Sequence, residues 1–307
     1  MSAPAFLRIP AWIAPTLVGL FLTPLTASFP TPWAADLAAQ LSDAELQARI
    51  DRAEAEPSPD RYLEATVAAR LMRDYDAARG HLEATWQMTG PIVDGIIDNS
   101  LMLELASGNG VAGAQRAFRD LRRFFSFRPV QIAAWAGNFP EILASGEYDA
   151  MMLRLSPEAD EADYRCACYN TVAWVHRLAG RHDQAAETWA RLVETTPAGL
   201  SSTNLDVQAQ VRAQYARNLA RAGRDREARE QLGRSMETEV SHAALPTVRR
   251  RWAQAHAELG DAAGAVEHLE PLLEANSLIS VHTLESRAAW MLVRDTPAFR
   301  ALLDRHR

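Results

Sequence analysis

The 307-residue chain contains no lysine, so all 32 of its basic residues are arginine. That absence excludes a Schiff base, a phosphate-loop lysine and a kinase-type lysine. Cysteine is nearly as scarce, with Cys166 and Cys168 alone. Two cysteines make no disulfide framework. On a helix, positions i and i+2 point about 200° apart, which suits neither a shared metal nor a disulfide. No second cysteine pair and no histidine cluster at ligand spacing accompanies them. H-E-x-x-H, G-x-S-x-G and Walker motifs are also missing. These gaps point to a protein that is not an enzyme and carries neither cofactor nor metal.

Long apolar runs are confined to one place. From Ile9 to Ala35 there is no charged residue, and AWIAPTLVGLFLTPLTASF (11–29) is the most apolar part. Arg8 precedes it and Asp36 follows, a polarity that keeps the amino terminus in the cytoplasm and exports the rest. One reading is a cleaved signal peptide with Pro24 as breaker and Ala27 at the cut. A second is a membrane anchor of about 19–21 residues, and a third is a buried helix. The first two put the body outside the cytoplasm, membrane-anchored or periplasmic. Residues 1–33 are assigned to this segment and its Pro30-Thr31-Pro32 linker, and 34–57 to an amphipathic lead helix.

Charge of one sign is also short where nucleic acid would need it. The net charge is −7, which argues against general nucleic-acid affinity. The distribution is uneven. Residues 36–65 hold eight acids and three arginines, whereas 209–251 hold ten arginines and five acids. An acidic end and a basic patch are expected. The 48% hydrophobic content supports a buried core.

What the chain does have is a repeated pattern. Gly180, Gly223 and Gly260 each end a helical stretch. An alanine follows five residues later (Ala185, Ala228, Ala265) and a large apolar residue four after that (Trp189, Leu232, Leu269). Tyr169, Val172-Ala173 and His176 precede the first glycine, and Pro197 follows. Tyr215-Ala216 and Leu219 precede the second, and Trp252-Ala253 and His256 the third. Weaker copies occur at 61–91 (Ala78, Leu82, Pro91), 103–121 (Ala114, Phe118) and 139–157, where Met151 replaces the alanine. Small residues at crossing points let helices approach closely.

This pattern resembles the tetratricopeptide repeat, a helix–turn–helix unit of 34 residues. The resemblance implies an all-α fold: a right-handed superhelical solenoid of about six units over 58–279, closed by capping helices at 280–307. It implies protein–protein binding through the concave groove. The carboxylate-clamp subset of the family reads a peptide's acidic end from its inner helices, and Asn170 and Gln214 fall near those positions. The lysines of that clamp do not exist here, and Arg217, Arg221 and Arg251 stand as an arginine version. Arginine suits bidentate capture of carboxylates. The expected function is a scaffold or adaptor of the cell envelope that binds an acidic segment of a protein partner. The alternative is a regulatory or ligand-sensing module of a signalling system.

Four other stretches invite a function. GNGVAG (108–113) has the G-x-G-x-x-G spacing of a dinucleotide loop. That loop needs a preceding strand and an acid about 20 residues on, but DNSLMLELAS reads as helix and 121–140 contains no acid. A helix–turn–helix junction is expected instead. His256-Ala-Glu258 imitates the deaminase H-x-E without its P-C-x-x-C partner, and His256, like His176, is expected in the core. Glu158, Asp160, Glu161 and Asp163 precede a helix, where acids favour its dipole. Arg119, Arg122, Arg123, Phe124, Phe125, Phe127 and Arg128 form a basic–aromatic run suited to head groups or an acidic partner.

Overall fold

The computed structural model describes residues 41–89, 99–100, 103–110, 112–113, 162–194 and 202–307. The acid cluster at 158–161, the basic–aromatic run, the unit at 139–157, Ala114, Phe118, Pro91, Pro197 and the apolar segment 11–29 lie outside them, as do the side chains of Cys166, Cys168 and Asp163.

The described residues are helical, with no strand. In chain order the helices are α1 (Asp43–Ala55), α2 (Pro59–Leu71), α3 (Tyr75–Thr89), α4 (Ala162–Leu178), α5 (His182–Glu194), α6 (Leu205–Arg221), α7 (Asp225–Met236), α8 (Leu245–Glu258), α9 (Ala262–Glu274), α10 (Val281–Ser286) and α11 (Pro297–Arg305). Short helical segments at 103–106 and 112–113 flank the turn at 107–109. None of the described helices is long and apolar enough to cross a membrane.

Consecutive helices pair as hairpins: α2 with α3, α4 with α5, α6 with α7, α8 with α9. Gly180, Gly223 and Gly260 sit in the turns with φ of 75°, 75° and 71°. Left-handed backbone costs glycine little and other residues more. It lets the next residue reach back five positions and cap an open carbonyl: Arg181 to His176, Arg224 to Leu219, Asp261 to His256. The first hairpin reaches the same geometry without glycine. Arg73 has φ 61°, and Asp74 N–H donates to the Ala69 carbonyl. Ala78 and Leu82 follow it at the offsets of the other copies and are buried.

The alanines Ala185, Ala228 and Ala265 are buried at the helix crossings, and Trp189, Leu232 and Leu269 fill the space beside them. A buried polar chain ties three helices together: Trp252 Nε1–H donates to Ser235 Oγ at 2.7 Å, and Ser235 Oγ–H donates to the Ala209 carbonyl at 2.7 Å. At the carboxy end, α11 packs on α9 and buries Phe299, Leu302 and Leu303 beside Trp290.

Among the described residues α1 begins at Asp43, because Ser42 is extended and caps it, and positions 34–40 of the expected lead helix lie outside them. The Ser42 hydroxyl accepts from Glu45 N–H while Glu45 returns a bond to Ser42 N–H, a capping box. Ser58 starts α2, accepting from Arg61 N–H with Pro59 in the first turn. His256 and His176 are half-buried, not core residues, and His256 Nδ1 pairs with Asp261 at 2.8 Å.

Of the GNGVAG stretch, Gly108 and Asn109 lie in the turn after the helical segment at 103–106, and Gly110, Ala112 and Gly113 are helical. Gly108 and Gly110 have φ of 88° and 58°.

Candidate functional site

Helices α4, α6 and α8 share a polar face. Its side chains meet across helices in register. Arg221 Nε donates to Glu258 Oε1 at 2.7 Å. Arg217 donates to Gln254 Oε1. Arg251 Nη1 donates to Gln214 Oε1 at 3.4 Å. Each pair is 37 residues apart, the spacing of Gly223 and Gly260. Equivalent positions of adjacent hairpins therefore lie side by side, two, six and nine residues before the turn glycine.

The α4 hairpin joins the same face. Arg177 Nη1 donates to Glu258 Oε2 at 2.6 Å, across a full hairpin. Arg221 also reaches Asn170 Oδ1 at 3.5 Å. Glu258 thus accepts from two guanidiniums, one per oxygen. Its side chain is 3% exposed and that of Arg221 2%. Trp174 and Trp189 form an edge-on pair with centroids 5.6 Å apart. The Arg221 guanidinium lies 4.7 Å from the Trp174 ring and that of Arg177 5.3 Å. Aromatic faces stabilise cations at this range.

Burial alone would push the Glu258 carboxyl up. The adjoining charges of Arg221 and Arg177, with their hydrogen bonds, reverse that and hold it below the usual carboxylate range. Burial depresses Arg221, and Glu258 partly restores it. Arg217 is held well below its ordinary value, by burial first and then by the charges of Arg221, Arg251 and Arg287, against Glu258 alone. Arg251 is lowered to about 10 by burial and by Arg250. Positive charge is in excess on this face.

All five residues expected at the partner site are on this face. Asn170 and Gln214 are half-buried and both bond to an arginine of the set. Arg217 and Arg251 have amide partners and, among the described residues, no carboxylate partner. Arg221 differs: it is buried and already holds Glu258. Arg224 does not belong to the face, being exposed and paired with Glu227 at 2.6 Å. Sequence reasoning missed Trp174, Arg177, Gln254 and Glu258. Counting back from the turn glycines would have found Trp174, Gln254 and Glu258, since Arg221 and Glu258 occupy one column and Trp174, Arg217 and Gln254 another, whereas Arg177 stands three residues before Gly180 and falls in neither.

No protein-family model matches the chain, and no curated protein matches it.

Proposed function

We propose that this chain is a non-enzymatic scaffold or adaptor of the cell envelope. In this reading its helix hairpins form a tetratricopeptide-like superhelical array, and the inner face takes an acidic segment of a protein partner. The recurring left-handed turn, buried alanine and 37-residue pairing support the array. The charge-free run at 9–35 supports the envelope location. One observation carries the binding reading: Arg217 and Arg251 are held by the neutral amides of Gln254 and Gln214, while the carboxylate of the face, Glu258, is shared by Arg177 and Arg221. Two guanidiniums are thus aligned by amides that do not neutralise them, which leaves a place for a partner's carboxylate.

In-cell photo-crosslinking of the carboxy-terminally tagged full chain tests this. Amine-reactive reagents are unsuitable because no lysine exists. A photoreactive residue at Gln210, one helical turn from Gln214 on α6 and outside the arginine–amide pairs, should capture the same envelope protein repeatedly from membrane fractions. Capture of cytoplasmic proteins alone, or of nothing specific, would overturn the reading.

A further inference from the structure

Residues 275–280 link α9 to α10, and with the adjoining helix ends they reach back to the start of the described chain. Asn276 Nδ2 donates to the Leu41 carbonyl at 3.2 Å and to Asp43 Oδ1 at 2.7 Å. Arg73, the left-handed turn residue of the first hairpin, donates through Nη2 to the Leu273 carbonyl at 2.5 Å. Ser280 Oγ donates to the Ala106 carbonyl at 3.2 Å. Leu278 packs against the core of α1, α2 and α3, while Ile279 and Val281 enter the core of α9 and α11. Neighbouring side chains that serve opposite sides are what extended backbone provides. The strap therefore belongs to both ends at once.

Gly108 completes the arrangement. A Cβ at this position would stand 3.2 Å from the His282 ring. The turn whose spacing imitates a nucleotide loop is instead shaped to seat the first turn of α10.

We propose that this strap is a latch. It ties the first hairpin to the last, and its release governs access to the inner arginine face. The inference rests on reading that face as the partner site. A helical-repeat array offers its curved inner surface along its length, and joining its ends restricts entry and spreading. The closure is thin. Among the described residues one half-buried leucine, four hydrogen bonds and the seat of His282 on Gly108 hold it, against a full core on each side. Elements tied so lightly open at less than the cost of global unfolding.

The test uses the full chain in detergent and hexaglutamate peptide as the probe, with hexaglutamine as control. Leu278→Asp, or the milder Asn276→Ala if that variant does not fold, opens the latch. Asp43→Cys with Asn276→Cys, bridged by a short bis-maleimide in a Cys166→Ser/Cys168→Ser background, locks it. The opened form should exchange amide hydrogens faster in α1–α3 with α6–α9 unchanged. It should bind hexaglutamate about tenfold or more tighter than the locked form, as expected when a competent state becomes populated. Equal binding by locked and opened forms would overturn the gate while leaving the binding face intact. Binding by no form would remove the partner reading and the gate with it. Unchanged exchange in the opened form would show that the strap holds nothing.

Discussion

Arg221 and Glu258 are 37 residues apart in the chain and 2.7 Å apart in space. Arg177 completes a buried charge bridge that spans three hairpins. Removing the carboxylate would leave two buried guanidiniums facing each other. Glu258→Ala should therefore cost about 3–5 kcal/mol in urea unfolding. Breaking the exposed Arg191–Glu187 pair should cost at most about 1 kcal/mol. Equal costs for the two would show that the bridge is not buried in solution.

The glycines should respond to alanine in three different ways. Gly223 has open space around it but a φ of 75°, so Gly223→Ala should destabilise by about 1–2 kcal/mol. Gly233 also has open space and lies within α7, so Gly233→Ala should stabilise by about 0.5–1 kcal/mol. At Gly264 a Cβ would collide with His256 Nδ1 and Asp261 Oδ2, and overpacking there should cost about 1–3 kcal/mol. Thermal melts of the three variants read the order directly.

Stability should fall on mild acidification. His268 is 9% exposed, and its Nε2 has no partner among the described residues. Burial, helped by the charge of His256, lowers its pKa from 6.5 to about 4, with Glu267 and Asp261 opposing and Arg249 reinforcing. The group is neutral in the fold and protonates more readily when unfolded. Its contribution is therefore present above pH 6.5 and is lost as pH falls from there towards 4. Roughly 2–3 kcal/mol is at stake. His268→Phe, which keeps the packing on Trp252, should flatten the pH dependence between those limits. An unchanged slope would place the titration elsewhere.

Partner capture should depend on two arginines and not on charge in general. Arg217→Glu with Arg251→Glu should abolish crosslinking from position 210. Arg224→Glu with Arg234→Glu changes the net charge equally on exposed, already paired residues and should leave capture intact. Loss of capture in both would reduce the effect to bulk electrostatics.

Much of the fold was legible because it rests on local chemistry. A glycine at the αL position, an alanine at the crossing and a bulky residue four later are short-range signals, and three hairpins show them in place. The first hairpin hid its turn because Arg73 adopts the geometry that glycine marks elsewhere. The start of α1 is set by the capping box at Ser42 and Glu45, a signal of two side chains that alanine-rich composition on its own does not mark. The arginines of the site were visible as a cluster. Their division of labour was not, since Arg177 meets Glu258 across an intervening hairpin. The latch was invisible for the same reason: Asn276 and Leu41 are 235 residues apart, and nothing local announces their meeting.

The common offset of the three pairs on the shared face of α6 and α8 makes them tolerant of one kind of change and intolerant of another. Single substitutions affect one rung each. An inserted or deleted residue within α8 ahead of Arg251 shifts all three together and rotates one helix face by about 100° relative to the other. Natural variation in these helices should therefore run to exchanged side chains at fixed length, with single-residue changes of length confined to the connection at 237–244.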